Sequence, residues 1–257
     1  MTAREPEQIY ERTRREGRRR LSRPLVELAA TALVGGFDVA FGVIAYALVA
    51  AAIGGEKGRV AGAIAFGIGF VFVVVGRSEL FTENFLIPIA GLNRRDRGSW
   101  LKLGELWGVA LVLNIVGGLL IAIIATSQGV LRAGADKPLL EVAHDLTHYS
   151  TLTAFLSALI AGALMTLMTW FVEGAADSLG VRIVMSWIVG ALIALGTFNH
   201  AIVSTIELIF GMRYGGDVGY GQLFGNLGVA VGGNFVGGLL LVTFARTVQA
   251  AEVSGRS

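Results

Sequence analysis

Apolar residues fall into six long runs along this chain, near 25–53, 60–92, 103–126, 151–172, 183–212 and 222–245. A helix needs about 20 apolar residues to cross hydrocarbon, so each run predicts a transmembrane span. The third, fourth and sixth have that length. The second and fifth are longer, and each carries a polar interruption near its middle: GRSELFTEN at 76–84 and GTFNH at 196–200. A span containing a break needs extra chain, so the extra length and the interruption agree. Lipid offers no hydrogen bonds, so unwound backbone at that depth must lie inside protein or beside a wet cavity.

The composition fits this pattern. Of the 257 residues, 54% are hydrophobic and 16% charged, and the mean hydropathy is +0.68. Soluble domains run nearer a quarter charged, so this is an integral membrane protein. The 36 glycines against 4 prolines suit closely packed membrane helices. With no cysteine there is no disulfide, thiolate metal site or cysteine nucleophile. Arg4, Arg12 and the further arginines of segment 1–24 lie on the same side as Arg94, Arg95, Arg97 and Lys102 of the 93–102 loop. The opposite side keeps only Lys57, Arg59, Arg132, Lys137 and Arg213. The positive-inside rule then places both termini in the cytoplasm. Segment 1–24 reads as a basic cytoplasmic helix, solvated and resting near anionic lipid. It lacks the interleaved aromatics of a nucleic-acid arm, so no nucleic-acid partner is expected. Residues 25–246 form the six-span domain, and 247–257 a cytoplasmic tail.

An internal repeat organises the spans. LNIVGGLL at 113–120 returns as GNFVGGLL at 233–240, an offset of 120. The same offset sets Gly76 over Gly196 and Leu80 over His200, which pairs the two interrupted spans. Each half holds three spans, an odd number, so the second half must enter the membrane from the opposite face. Such inverted repeats place substrate sites where two broken helices meet near the midplane. Half-helix N-termini and exposed amides favour an anion there.

GRSELFTEN resembles the E-L-F-T-G-N motif of the formate/nitrite transporter family, and FNHAIV resembles that family's fifth-helix motif around a central histidine. With LNIVGG and the six-span layout, the resemblance covers nearly the whole membrane domain. It implies an all-α, aquaporin-like protomer with broken second and fifth helices. Five protomers would form a ring in the bacterial cytoplasmic (inner) membrane, each with its own pore for a small monovalent anion or weak acid. By the same resemblance Leu80, Phe81 and Thr82 form the constricting loop and His200 faces them, with Asn199 and Arg77 beside the pathway. Glu79, Glu83, Asn84, Asn114 and Asn234 belong to the structural part of the motifs. No cofactor or metal is implied.

This chain departs from the family pattern at several positions. Glu83 replaces the glycine after E-L-F-T, Arg77 replaces a small residue, and Asn199 stands where an acid is usual. Ala201, Ile202, Val203 and Ser204 replace S-I-A-N, and the vestibule lysine before the fourth span has no counterpart. Arg77 is either a replacement cation for the anion or the ion-pair partner of Glu79, Glu83 or Glu207. Thr82 either offers its hydroxyl to a solute or satisfies backbone freed by the break. Histidine's intrinsic pKa near 6.5 lets His200 donate or sense a proton. Asp38 and Glu207 are lone acids expected to pair between helices. Gly228/Gly232 and Gly233/Gly237 have the spacing of close helix contacts. His144, Asp145 and His148 read as solvated vestibule residues. The expected function is a channel or proton-coupled transporter. A neutral-solute pore, disfavoured by the absence of N-P-A motifs, and a non-conducting scaffold or sensor are the alternatives. No nucleophile–base constellation points to an enzyme.

Overall fold

A computed structural model describes residues 4–175 and 177–254, all of whose regular structure is helical. After α1 (Pro6–Leu21) come α2 (Leu25–Ile53) and α3 (Gly55–Gly76). Gly54 and Gly55, both at positive φ (75° and 59°), make the sharp reversal between them, a conformation that side chains resist. A 3-10 turn over Phe81–Phe85 and the short α4 (Ile87–Gly91) complete the second predicted span. Then follow α5 (Arg97–Ala125), α6 (Asp136–His148), α7 (Thr151–Gly174), α8 (Leu179–Leu195) and α9 (Ala201–Arg213). The last segment runs through α10 (Tyr220–Val236), a π-helical stretch at Gly237–Thr243, and α11 (Phe244–Ser254).

Among the described residues, α2, α3, α5, α7 and the Tyr220–Ala251 stretch are long and apolar enough to cross a membrane. The fifth predicted run is instead divided into α8 and α9, as its polar interruption predicts. The ends of these helices are set by side-chain caps. Asp96 accepts from the Gly98 and Ser99 amides, Ser150 from Thr153, and Ser178 from Val181. Helix α2 packs on α3 and α5, α7 packs on α8 and α10, and α3 against α8 joins the halves.

The internal repeat is written in hydrogen bonds. Asn114 Oδ1 accepts from the Phe81 amide (2.9 Å), while its Nδ2 donates to the carbonyls of Ala32 (2.7 Å) and Glu79 (2.9 Å). Asn234 accepts from the Ala201 amide (2.8 Å) and donates to the carbonyls of Ala158 (2.8 Å) and Asn199 (3.0 Å). Residues at the two breaks and both asparagines keep the offset of 120. Arg77 and Thr197, the non-glycine residues at positive φ (58° and 46°), keep it as well. Each break thus unwinds at a left-handed residue, and the backbone groups it frees are taken up by an asparagine carboxamide.

Helix α1 packs through one face on α4, α7 and α11, with Thr13 and Gly17 buried. Any side chain at Gly17 would strike the Ile87 carbonyl, so the glycine allows that approach. The expected tail from 247 is helical as far as Ser254, because Arg246 caps the Trp170 ring (5.1 Å) and Thr247 hydrogen-bonds back to Thr243; residues 255–257 lie outside the described residues. Of the two glycine pairs, Gly233 and Gly237 lie against α7 backbone at Phe155 and Leu159, whereas a side chain at Gly228 or Gly232 would meet no neighbouring element within 4 Å among the described residues.

Candidate functional site

The two breaks meet. Thr82 Oγ1 of the first lies 2.7 Å from His200 Nε2 of the second, and both residues are fully buried. His200 is also the N-cap of α9, its Nδ1 accepting from the Val203 amide at 3.1 Å. An acceptor nitrogen carries no proton, so the neutral ring must hold its hydrogen on Nε2 and donate it to Thr82. Phe70 of α3 flanks the ring at 5.9 Å. Leu80 is fully buried beside the pair, and Phe81 packs edge-on against Phe85 (5.3 Å). Around this contact Phe70, Leu80 and Phe81 are apolar, and the polar side chains are Thr82, His200 and Ser204, whose hydroxyl accepts from the His200 amide at 3.1 Å.

Asn199 is turned elsewhere. Its carboxamide exchanges two hydrogen bonds with Asn226 of α10 (2.9 and 3.0 Å), and its amide nitrogen also faces the Ala154 carbonyl. Its polar atoms are consumed in holding α10 and α7, so it belongs with the structural residues. Asn84 likewise donates to the Leu80 carbonyl, while its own carbonyl accepts from Trp107.

On the α1 side of the contact of Thr82 with His200 lies a cavity of about 520 Å³. Among the described residues, seven arginines from α1, the Pro24-side linker, the first break and α8 line it, against four glutamates. Glu79, 1% exposed, is clamped by Arg20 (2.8 Å) and Arg23 (2.5 Å), and Arg20 also reaches Glu83 (3.6 Å) and Asn84 (3.1 Å). Burial works against the Arg20 charge, but Glu79, Glu83 and Glu16 overcome it and hold the guanidinium's pKa above its ordinary value. Burial likewise pushes the Glu16 carboxyl up; hydrogen bonding to Arg19 and the charges of Arg20 and Arg19 outweigh it and leave it below the usual carboxylate range.

The expected ion pair of Arg77 with Glu79, Glu83 or Glu207 does not form. The arginines of α1 have taken the first two acids, and Arg77 is exposed at the cavity wall without a salt bridge among the described residues. Its backbone is left-handed (φ 58°) at the end of α3. Asp38 accepts from the Ser78 hydroxyl (2.6 Å) rather than pairing with a charge. Asp145 is bound to Arg59 (3.1 Å), His144 and His148 stack on each other (3.9 Å), and no metal-holding group of acids and histidines occurs among the described residues. The residues that sequence reasoning missed are Arg20 and Arg23. Their only signal was density of arginine, which a solvated helix shares.

The family model described as "Formate/nitrite transporter" matches residues 7–248. "Uncharacterized transporter YrhG" of Bacillus subtilis (strain 168) is 28% identical over 250 residues, 94% of this chain and 92% of that protein. "Inner membrane protein YfdC" of Escherichia coli (strain K12) is 26% identical over 79% of this chain, which spans 65% of its length. "Formate channel FocA" of the same strain is 24% identical over 60% of this chain and 54% of its own length. Among solved structures, "Pentameric formate channel with formate bound" superposes with a TM-score of 0.73 at 21% identity, covering 87% of this chain and 96% of that one. "FNT family ion channel" does so at 0.78 and 16% identity, covering 92% and 96%. These likenesses give the fold.

Proposed function

From the premise that this chain belongs to the formate/nitrite transporter family, we propose that it is a membrane pathway for small monovalent anions or their conjugate weak acids, of the formate or nitrite kind. The observation that carries this reading is the buried contact of Thr82 with His200, flanked by Phe70, Leu80 and Phe81 and beside an arginine-lined cavity. A bare anion pays heavily to enter a dry passage, whereas its neutral acid does not. The arginine cavity gathers the anion; among its described cations Arg15, Arg77 and Arg182 make no salt bridge, and Arg77 stands at the first break itself. Leu80 and Phe81 strip its water. The Thr82 hydroxyl, which accepts from His200, has its own hydrogen to donate to the solute.

The ring of five is part of the same reading. Side chains at Gly221, Gly225, Gly228 and Gly232 of α10, or at Gly104 and Gly108 of α5, would meet no neighbouring element within 4 Å among the described residues. Small residues left uncovered at this spacing suit close approach by a neighbouring helix, as expected of a homopentamer. The basic face of α1 supports a cytoplasmic position for both termini in a bacterial inner membrane.

Purified protein in liposomes tests this. Formate and nitrite are expected to leave loaded vesicles faster than from empty ones, with the rate reduced at least tenfold by H200A and by T82V. No flux of either anion above protein-free vesicles would reject the proposal in favour of a scaffold that keeps the channel fold.

A further inference from the structure

Helix α9 is enclosed on every side by α2, α5, α6 and α10, and Ala201–Gly211 are all buried. Within it Glu207 retains 7% exposure while its neighbours Ile206 and Leu208 have none. Ile209 retains 6% as well, so a water-sized space reaches this stretch of a helix otherwise covered by protein. Glu207 follows His200 by seven residues, so it lies on the same helix face about 10 Å further along. It lies away from the arginine cavity. Helix α7 runs from its α6 end to Glu173 on the cavity wall, and α9 packs on α6 and ends where Arg213 bonds Thr126 at the close of α5.

No hydrogen bond or ion pair reaches the Glu207 carboxylate among the described residues. From α2, Tyr46 lies within its electrostatic reach, and from the α6–α7 junction Tyr149, whose hydroxyl donates to the Thr197 carbonyl at the second break (3.3 Å). Glu141 and Asp145 of α6 lie beyond the tyrosines, Asp145 being neutralised by Arg59 of α3. The exposed His144 and His148 of α6 stack on each other. Beyond Glu105 in α5 and Tyr220 in α10 neither helix has a titratable side chain. A buried carboxylate without a cation is costly as a permanent charge. It suits a group that holds a proton and releases it.

We infer that Glu207 exchanges a proton with the cargo on the side of the constriction away from the arginine cavity, so that the weak acid crosses with its proton. The inference rests on the weak-acid reading above. The Glu207 O–H bond breaks as an oxygen of the arriving carboxylate anion takes the hydrogen, leaving a glutamate carboxylate and a neutral acid. The neutral acid passes Thr82 and His200, and water on the Glu207 side restores the lost proton. In the arginine cavity the surrounding cations favour the dissociated anion, so the acid gives its proton to water there. The reverse sequence serves movement outward. The two ends of the path are complementary: one stabilises the anion and the other makes it neutral.

Infrared difference spectra of the full-length protein, taken as pH is stepped from acid to neutral, test the titration directly. A protonated-carboxyl band that responds to the step and is lost in E207Q is expected. Should E207Q not assemble, E207D is expected to shift the band, and a band unmoved by either substitution overturns the inference. In liposomes with a trapped pH dye, E207Q should move at least tenfold fewer protons per formate than wild type; an unchanged ratio overturns it. If wild type moves no formate, the transport reading fails alone, and the infrared response still decides whether Glu207 takes and releases protons.

Discussion

Arg23→Met is the sharpest probe of how the first break is held. Glu79 is 1% exposed, and its two oxygens are divided between Arg20 and Arg23, whose side chains are 12% and 4% exposed. Removing one partner of a buried pair costs about 3–5 kcal/mol because a charge is left uncompensated. Here Arg20 remains, so the loss sits at the lower end, about 3 kcal/mol, most of it one charged hydrogen bond. For a chain of this size each kcal/mol moves the melting temperature by about 2–4 °C, giving a fall of about 6–12 °C in detergent. E79Q alone leaves two buried guanidiniums facing a neutral amide and should cost a similar amount. The R23M/E79Q double variant should cost less than the sum of the two, with a coupling of about 2 kcal/mol. A drop below about 2 °C for R23M, or strict additivity in the cycle, would refute the claim that α1 closes the break through this clamp.

The same repeat and charge arrangement give further outcomes. N114A and N234A each remove three hydrogen bonds to buried backbone and should each destabilise by about 3 kcal/mol, seen as matched losses of melting temperature; one tolerated and one lethal substitution would deny their equivalence. G228L should leave the protomer folded but lower the oligomer's mass by light scattering, since among the described residues no neighbouring element meets a side chain there. The depressed Glu16 carboxyl contributes stability above the ordinary glutamate range and loses it as pH falls through its lowered folded value. E16Q should accordingly melt below wild type at neutral pH, and the two melting curves should converge in acid.

Much of this was legible in the chain. Length and polar interruption located both breaks, and the octet repeat paired Asn114 with Asn234 before their hydrogen bonds were seen. The 120-residue offset matched the two breaks, and the family resemblance set His200 facing Leu80–Thr82. What stayed hidden depends on contacts between elements far apart in sequence. Nothing in EGRRRLSR distinguishes Arg20 and Arg23, which bury against Glu79, from Arg19, which stays on the surface with Glu16. Arg77 and Glu79 are near neighbours in sequence and of opposite charge, yet Glu79 is bound by Arg20 and Arg23 from a distant segment. Asn199 looked like a pathway residue from its place beside His200; successive residues at a helix cap point in different directions, and its partner, Asn226, lies 27 positions away.

The asparagine carboxamides also settle a question of length. In the helix before each break the corresponding carbonyls are Ala32 and Ala158, an offset of 126, whereas the breaks themselves are offset by 120. Six residues have therefore been gained or lost between the first helix and the break of one half relative to the other, α3 having 22 residues and α8 only 17. The break did not slide, because its place is measured by one amide spanning three strands of backbone and not by counting residues along the chain. Such a ruler frees the connecting segments to lengthen, shorten and diverge between descendants of a duplicated gene while the passage between the halves keeps its shape.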